Sequence, residues 1–590
     1  MVMKHVIIKL SIFIVAMFSF TFIIYAGSPK GEPYGDPHAV RGGILNLQTS
    51  QFPKSFNAFT TVTTDTMTVF GLVYEPLLEL HPATLDYQPL IAKKWTMSDD
   101  KRVFTFKIDP RAKWADGKPI TATDVKFTYD TIMNPKNLTS VQRLYYSRFN
   151  EPEIIDQYTV KISAKTVHFK NLEALAGLNI LPQHLFEGKD FNKAFNMSLP
   201  PGSGPYTLSE VKEGRYFVLT RRKNYWADQL PSHRGTYNFQ KIKFKVMDTN
   251  VAFEAFKKGE FDIYDEIPAK RWVTESNTKQ FQNNWLVKQK IFNYAPRGFV
   301  GLAMNMRRPI FQDVRVRQAL CYLIDRKTLI KKLVFNQSQP YTSYWPSSYG
   351  VKEEVNPMIE YNPEGAKKLL QEVGYTRLDK AGYRMDKNGK RLEFTILYYS
   401  NTWEKYLTPY LDSCKQVGVK VNLEMLSWAT LLKRQDEYNF DMVLVGWGGQ
   451  LFEDPEQLWY SKHADEIGSS NVPGYKSTEV DRLIDSMSPI FDPVKRMEII
   501  KKIDRIIYKD YPYVLLWGND YTKIFYKNVF GRPKTIFSKY TGDSSNTADI
   551  ICYWWYDSAK AKRYQEAVAK NKPLPAEPVE IYYDKIVAGK

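Results

Sequence analysis

Two segments far apart in the chain share one order of elements, a strand, a helix and a second strand. The first covers residues 242–264 and the second covers residues 392–425, where apolar runs flank a stretch with helical spacing. A further helix leads to the uninterrupted apolar run 442–445, which is typical of a strand buried in a parallel sheet. Because such crossovers join strands of one sheet with a fixed hand, the pattern predicts two α/β lobes, near residue 250 and near residues 400–445.

The length of the chain also favours more than one lobe, since 590 residues are too many for a single hydrophobic core. With 43% hydrophobic and 25% charged residues, the composition is that of a soluble globular protein. The net charge of +18 is spread along the chain, which predicts a solubilising charge and no nucleic-acid partner. Cys321, Cys414 and Cys552 are too few and too far apart for a disulfide framework or a zinc cluster.

The first 26 residues have the pattern of a secretory signal. Lys4 and Lys9 precede a mostly apolar run at 10–26, which ends in small residues that suit a signal peptidase. We therefore expect a cleavable signal peptide and a mature protein in the periplasm. An uncleaved anchor is the alternative, because a run of about 17 residues lies at the lower limit of a bilayer span. No later stretch of about 18 apolar residues exists, which predicts a water-soluble mature chain.

Catalytic and metal-binding motifs are missing from the sequence. It contains no H-E-x-x-H pair, no G-x-S-x-G elbow, no C-x-x-C pair and no complete phosphate-binding loop. The element G-S-G-P-Y at 202–206 is interpreted as a tight turn that enters a strand. We therefore predict no catalytic residue, no metal ligand and no cofactor, and the sequence gives no support to an enzyme.

Several ordered motifs resemble those of extracellular solute-binding protein family 5, the peptide, nickel and oligosaccharide binding components of ABC importers. They are L-I-A-K-K-W-T-M-S-D-D at 90–100, K-W-A-D-G-K-P-I-T-A-T-D-V at 113–125, G-S-G-P-Y at 202–206, N-M-R-R-P-I-F at 305–311 and the block at 440–447. The form of the block at 305–311 and the W-W-Y ending at 554–556 resemble the subgroup associated with oligopeptides and microcin-type peptides.

The resemblance implies an α/β, two-lobed periplasmic-binding-protein fold of type II, in its large peptide-binding variant. By analogy, a signal peptide at 1–26 precedes a first lobe at 27–296, which contains an inserted subdomain at about 66–197. The second lobe then covers 297–512, and residues 513–590 return to the first lobe and form the C-terminal tail. The larger lobe is therefore discontinuous in sequence, and closure of the lobes by hinge motion encloses the ligand.

The function implied by the resemblance is that of a periplasmic substrate-binding protein. We expect a monomer, without enzymatic activity, that captures oligopeptides or peptide-like compounds and delivers them to the transmembrane permease of an ABC importer. An oligosaccharide or metal-chelate receptor of the same fold is the alternative. A secreted hydrolase and an envelope chaperone with an aromatic cleft are less well supported.

The stretch G-W-G-G-Q-L-F-E-D-P-E-Q-L-W at 446–459 is the first candidate for the binding site. It follows the buried strand at 442–445, and ligands of open α/β sheets lie beyond the carboxyl ends of parallel strands. Gly446 and Gly448 leave backbone groups accessible to an extended ligand, and Trp447 offers an aromatic wall. A buried core position is the alternative for Trp447.

Near this tryptophan, the sequence differs from the family pattern at one position. Peptide-binding relatives place an aspartate three residues after it, where it pairs with the free α-amine of the ligand, whereas this chain has Gln450. An amide accepts a hydrogen bond but carries no charge. Glu453 or Asp454 takes over this role, or the ligand has a modified terminus, or it is not a peptide. Four weaker candidates complete the predicted lining: Tyr74, Glu75, Tyr344 and Trp345.

Overall fold

The computed structural model describes residues 23–25, 34–346, 356–542 and 546–589. Most of the predicted signal peptide lies outside these residues. Within the described part of the chain, no helix is long and apolar enough to cross a membrane. The helices are Thr64–Val73, Ala122–Met133, Ser140–Tyr146, Lys170–Ala176, Gln183–Phe186, Thr249–Lys257, Lys279–Gln282, Val314–Tyr322, Arg326–Leu333, Pro363–Glu372, Glu404–Gln416, Trp428–Asp436, Glu456–Trp459, Thr478–Met487, Pro493–Asp510, Asn546–Tyr553, Ser558–Ala569 and Tyr583–Val587.

Three of the four larger sheets belong to the first part of the chain and its C-terminal end. In order across each sheet, their strands are Ile44–Thr49, Lys241–Val246, Tyr216–Arg221 and Tyr206–Lys212; then Ile263–Tyr264, Thr522–Lys527, Leu286–Phe292 and Glu580–Tyr582; and Ile23–Tyr25, Ala92–Met97, Val103–Ile108, Thr159–Ser163 and Glu153–Asp156. The fourth is a mixed sheet of Lys420–Met425, Glu393–Tyr398, Met442–Trp447, Phe299–Met304 and Tyr513–Leu515. Four two-stranded ribbons join Leu78–Leu80 to Tyr87–Pro89, Gln339–Pro340 to Trp517–Gly518, Arg377–Leu378 to Arg384–Met385, and Phe530–Gly531 to Trp555–Tyr556.

The predicted crossover in the second lobe is confirmed. Strand Glu393–Tyr398 pairs in parallel with Lys420–Met425 on one side and with Met442–Trp447 on the other. Helix Glu404–Gln416 connects the first two, and it continues through Pro409. Three parallel carboxyl ends therefore lie side by side along one edge of this sheet.

The predicted crossover near residue 250 is only partly right. The two strands and their helix, Thr249–Lys257, form where expected, but the strands belong to different sheets. Lys241–Val246 pairs in parallel with Ile44–Thr49. Asp262, which precedes strand Ile263–Tyr264, donates its N–H to the carbonyl oxygen of Asn46 at 2.8 Å. A strand from much earlier in the chain thus lies between the two, which periodicity within the local segment does not reveal.

The buried apolar residues divide into two bodies, which form the two lobes of the fold. The first lobe's main core draws on residues 45–291 and 524–581, and the second lobe's cores draw on 299–516 with one exception, Phe169. Strand Tyr513–Leu515 pairs with Phe299–Met304 in the second lobe. Gly518 still pairs with Gln339 of the second lobe, and Thr522 pairs with Ile291 of the first, so the second crossing lies between Gly518 and Thr522.

Candidate ligand-binding cleft

In the second lobe, the carboxyl edge of the sheet lies next to the first chain crossing between the lobes. The crossing, residues 293–298, leads into strand Phe299–Met304, and Phe299 pairs with Trp447 at the end of the antiparallel strand Met442–Trp447. Residues 446–450, which we call the glycine loop, leave this edge. The predicted position of the loop beyond a buried strand is confirmed.

In the first lobe, strand ends also point toward the crossings. Leu286–Phe292 runs directly into the first crossing, and Thr522–Lys527, which follows the second, is antiparallel to it. Ile263–Tyr264 is also antiparallel to Thr522–Lys527, so it runs parallel to Leu286–Phe292 and its carboxyl end points toward the crossings. A cavity of about 460 Å³ lies just beyond this end. Its lining residues are Thr249, Asn250, Glu266, Ile267, Pro268 and Arg271.

The two carboxyl edges therefore face each other across the crossings, which is the position where open α/β folds bind ligands. A second cavity, of about 300 Å³ and lined by Tyr322 and Tyr511 among others, lies elsewhere. Its lining residue Tyr511 precedes strand Tyr513–Leu515, whose first residue pairs with Ala303, near the end of strand Phe299–Met304 opposite to Phe299 and Trp447. The cleft at the carboxyl edges is thus the candidate binding site.

Trp447 is half-buried at this edge, so it is neither fully exposed as a wall of the cleft nor fully buried in the core. Its indole N–H donates to the Tyr513 hydroxyl at 3.1 Å, which fixes the ring against the second-lobe core. Gly446 and Gly448 are exposed, and a Cβ added at Gly448 would meet nothing within 4 Å. The backbone of the glycine loop is accessible, as predicted.

The remaining glycines of this region have a packing role. A Cβ at Gly298, in the crossing, would lie 1.6 Å from the Trp447 carbonyl oxygen, and one at Gly449 would lie 2.5 Å from the Arg297 nitrogen. Only the absence of side chains lets the crossing and the glycine loop pass this closely. The position of the loop therefore depends on the position of the crossing.

Three exposed side chains that the sequence reasoning missed extend the carboxyl edge. Tyr399 follows strand Glu393–Tyr398 and is 43% exposed. Met425 is the last residue of strand Lys420–Met425, Trp428 comes shortly after it, and each is 54% exposed. The Tyr399 and Trp428 rings meet edge to face with centroids 5.0 Å apart. Large apolar side chains directly after predicted parallel strands are the signal that would have identified them.

Gln450 is exposed, but a residue of the first lobe already engages its amide oxygen. The Lys170 ammonium donates to Gln450 Oε1 at 2.7 Å, and the Gln450 N–H donates to Glu453 Oε1 at 3.2 Å. Burial raises the pKa of the Glu453 carboxyl to about 7, against the effects of that N–H and of Lys170. The Glu453 carboxyl therefore already has a backbone N–H and the Lys170 ammonium of the protein itself nearby.

Asp454 belongs to a cluster at the same contact between the lobes. Ligand-type atoms of His168, Asp454 and Glu456 lie within 4.8 Å of one another. However, the Lys170 N–H donates to His168 Nδ1 at 3.1 Å, so the proton of the neutral ring is on Nε2, the nitrogen that faces the carboxylates. A metal would need the Nε2 lone pair, so the arrangement fits an attraction between the lobes better than a metal site.

Tyr74 is wrong as a lining residue. It is fully buried in the first-lobe core, where its hydroxyl donates to the Pro200 carbonyl oxygen at 2.6 Å. Tyr344 and Trp345 are also buried, in the second-lobe core, where the Tyr344 ring packs edge to face on Phe299 at 5.0 Å. Each of these rings fills a hydrophobic core and does not line the cleft.

Glu75 is wrong as a lining residue too, because it is the buried centre of a hydrogen-bond network. Its carboxylate accepts from the Tyr225 hydroxyl and from the Trp226 indole N–H at 2.8 Å. Its backbone N–H donates to Ser203 Oγ at 2.9 Å. Burial raises the pKa of this carboxyl to about 7, against the effects of the Tyr225 and Trp226 donors, of Ser203 and of Arg222.

This raised pKa gives a testable dependence of stability on pH. The folded carboxyl holds its proton to about pH 7, whereas the ordinary value is 4.5, so the stabilising contribution is complete below pH 4.5 and is lost as the pH rises to about 7. Compared with Glu75→Gln, the wild type should lose about 3 kcal/mol of unfolding free energy between pH 4.5 and 8. Urea denaturation of both proteins across this range measures the difference, and parallel curves would contradict the assignment.

Comparisons with known proteins agree with this architecture. The family model of bacterial extracellular solute-binding proteins, family 5 Middle, matches residues 86–469. The chain is 27% identical to the uncharacterized protein YejA of Escherichia coli (strain K12), over 92% of this chain and 95% of that protein. It is also 27% identical to the probable peptide-binding protein YejA of Agrobacterium fabrum, over 85% of this chain and 88% of that protein.

A solved structure shows the same fold. The oligopeptide-binding protein AppA from Bacillus subtilis, in complex with a nonapeptide, superposes with a TM-score of 0.71 at 23% identity. The superposition covers 88% of this chain and 100% of that chain. The two-lobed α/β prediction is confirmed by this likeness.

Proposed function

Because the chain belongs to the bacterial extracellular solute-binding proteins of family 5, we propose that it captures oligopeptides or peptide-like compounds between its lobes. It then delivers them to the transmembrane permease of an ABC importer. The proposal includes a monomeric, non-catalytic receptor in the periplasm that reaches this compartment through a cleaved signal peptide. The family is one of solute-binding proteins, and the name of the Agrobacterium relative and the nonapeptide bound to AppA support a peptide ligand.

The observation that carries the proposal is an open backbone edge in the cleft. Strand Met442–Trp447 pairs with Glu393–Tyr398 only at Met442 and Val443, among the residues that the structure describes. Beyond Val443, that side of the strand pairs with no other strand of the described residues, and Gly446 near its end is exposed. Addition of a strand through main-chain hydrogen bonds is a general mode of peptide recognition, and it tolerates varied side chains.

The residues around this edge suit the side chains of such a ligand. Trp447 provides an aromatic face beside the open backbone, and Tyr399 and Trp428 continue the apolar surface along the edge. Across the cleft, the first-lobe cavity presents Glu266 and Arg271. Backbone recognition with an aromatic wall fits a peptide better than an oligosaccharide, which would require many polar side chains.

Native mass spectrometry of the protein purified from the periplasm tests the ligand class. We expect short peptides or peptide-like compounds to co-purify at one molecule per chain and to be recovered unchanged after incubation. A bound sugar or a metal chelate would favour the alternative receptor instead. Masses that decrease by hydrolysis during incubation would favour a hydrolase.

Trp447→Ala should weaken binding of the co-purified peptides by about tenfold, because it removes one buried aromatic contact. Trp447→Phe should retain most of the affinity, since the ring stays and only the indole bond to Tyr513 is lost. Titration calorimetry with the identified peptides measures both variants. Tyr361→Ala, which removes another partly exposed ring of the second lobe, is the control and should bind as the wild type does. Equal affinities for Trp447→Ala and the wild type would show that the ligand lies elsewhere.

A further inference from the structure

A short segment of the first lobe, residues 168–170, binds the second lobe at the lip of the cleft; we call it the closing latch. It lies at the start of helix Lys170–Ala176 in the region predicted as an inserted subdomain. We infer that the closing latch holds the two lobes together through contacts of its own, so that the closed state does not depend on the ligand alone. The inference concerns regulation of the cleft, and its role in transport rests on the proposed function.

Phe169 is the centre of the latch. It is 7% exposed and packs in the second-lobe core. Among the described residues of this core, Phe169 is the only one that lies outside 299–516. The Arg496 guanidinium lies over its ring at 4.2 Å from the centroid. Arg496 is itself fixed, because its Nη1 donates to the carbonyl oxygens of Ile490 and Phe491 at 3.0 and 2.8 Å. The Phe169 ring therefore makes a cation–π contact with a guanidinium that the second lobe holds in place.

The backbone of the latch adds a bond between the lobes. The Phe169 N–H donates to the Ser488 carbonyl oxygen at 2.9 Å. Ser488 follows helix Thr478–Met487 as its C-terminal cap. The last carbonyl groups of a helix have no partner within the helix, so a donor from the other lobe completes this terminus.

The residues on either side of Phe169 bring positive or donor groups to second-lobe acceptors. Lys170 Nζ donates to Gln450 Oε1 at 2.7 Å. His168 Nε2 lies 3.9 Å from Asp454 Oδ2 and 3.7 Å from Glu456 Oε2. These contacts join the latch directly to the segment that leaves the glycine loop. Closure of the latch therefore also fixes one wall of the cleft.

The shape of the latch is set within the first lobe. The Lys170 N–H donates to His168 Nδ1 at 3.1 Å, and the Asn171 side-chain amide donates to the Thr166 carbonyl oxygen at 2.8 Å. The His168 and Phe169 rings stack with centroids 4.9 Å apart. A surface that is already ordered loses little conformational entropy when it docks, so most of the contact energy favours closure.

The consequence is a shift in the balance between the open and closed states. A ligand enclosed by both lobes binds the closed state, so its apparent affinity is scaled by the fraction of chains that can close. Loss of the Phe169 contact should lower the closed-to-open ratio by about tenfold, the effect expected from exposing most of one buried aromatic ring. The same factor would apply to every ligand that the closed state encloses, because the Phe169 contact is made within the protein.

Small-angle X-ray scattering of the ligand-free protein tests the latch without any knowledge of the ligand. Bound ligand is removed by unfolding in urea and refolding, and the scattering is fitted as a mixture of closed and open lobes. We expect a large closed fraction for the wild type and a mainly open Phe169→Ala protein. Leu144→Ala, an exposed position of the same part of the first lobe, is the control and should scatter as the wild type does. Circular dichroism melting checks that the variants are folded.

A second pair of variants tests the latch by strengthening it. Gln450→Asp replaces a neutral acceptor with a carboxylate opposite the Lys170 ammonium, and should increase the closed-to-open ratio by about threefold. Lys170→Ala should abolish this gain in the double variant. A gain that persists without Lys170 would contradict the assigned contact.

Two results would overturn the latch. One is a ligand-free wild type that is as open as Phe169→Ala, which would leave closure to the ligand alone. The other is closure that requires added Zn²⁺ and is lost in His168→Ala, which would replace the latch by a metal site. Neither result bears on the peptide proposal, and a non-peptide ligand found by mass spectrometry would leave the latch intact.

Discussion

Glu75→Ala should lower the free energy of unfolding at pH 4.5 by about 3–5 kcal/mol, the amount expected when a buried hydrogen-bond acceptor is removed and its two donors stay behind. The Tyr225 hydroxyl and the Trp226 indole N–H both donate to this carboxylate, and neither has solvent to replace it. Arg222 also loses the influence of a buried carboxyl, although its Nη1 still donates to the carbonyl oxygens of residues 202, 203 and 204. Urea denaturation at pH 4.5 measures the loss.

Glu75→Gln is the matched control. Its amide oxygen can accept from Trp226 and its amide nitrogen can donate to the Tyr225 oxygen, so the network keeps its size and its hydrogen bonds. We expect a change within about 1 kcal/mol at pH 4.5, where the folded wild-type carboxyl is neutral as the amide is. An alanine variant as stable as the glutamine variant would show that the network does not stabilise the first lobe.

Gly298→Ala should weaken peptide binding by about a hundredfold and lower the free energy of unfolding by about 3 kcal/mol. The new Cβ would lie 1.6 Å from the Trp447 carbonyl oxygen and 2.7 Å from the Gly448 carbonyl carbon. All of these neighbours are backbone atoms, so the crossing or the glycine loop must move. Movement of the loop would displace both the open strand edge and the Trp447 ring from their positions in the cleft.

Gly448→Ala separates crowding from a general effect of adding a methyl group. A Cβ at Gly448 meets nothing within 4 Å. The unfolding free energy of the Gly448→Ala protein should therefore stay within about 0.5 kcal/mol of the wild-type value. Calorimetric titration and urea denaturation of both glycine variants provide the comparison. If Gly298→Ala binds peptide as tightly as the wild type, the crossing does not set the position of the loop.

Local sequence patterns predicted the second lobe well. Alternating and continuous apolar runs located strands Glu393–Tyr398, Lys420–Met425 and Met442–Trp447, and all three are parallel as expected. Strand polarity then placed the glycine loop at the carboxyl edge. These features could be predicted because the period of a strand or helix is written in neighbouring residues.

The same reasoning failed where a contact joins distant parts of the chain. Residues 44–49 insert between the strands of the predicted first crossover, which no pattern around residue 250 indicates. Tyr74, Glu75, Tyr344 and Trp345 look like cleft residues by type, but each is buried by elements far away in sequence. Tyr399, Met425 and Trp428 were missed for the converse reason, since exposure is a property of the folded surface.

The sequence by itself determined the family, the α/β lobes and the place of the glycine loop beyond a buried strand. Only the tertiary structure decided what Gln450 does, because its partner, Lys170, is 280 residues away in the other lobe. An amide in place of an acid left open whether the ligand lacks a free amine or Glu453 or Asp454 holds that amine, whereas the structure shows a lysine of the protein itself bound to the amide. Spacing along a chain specifies local periodicity, but which charges meet across a cleft is fixed only when the lobes pack against each other.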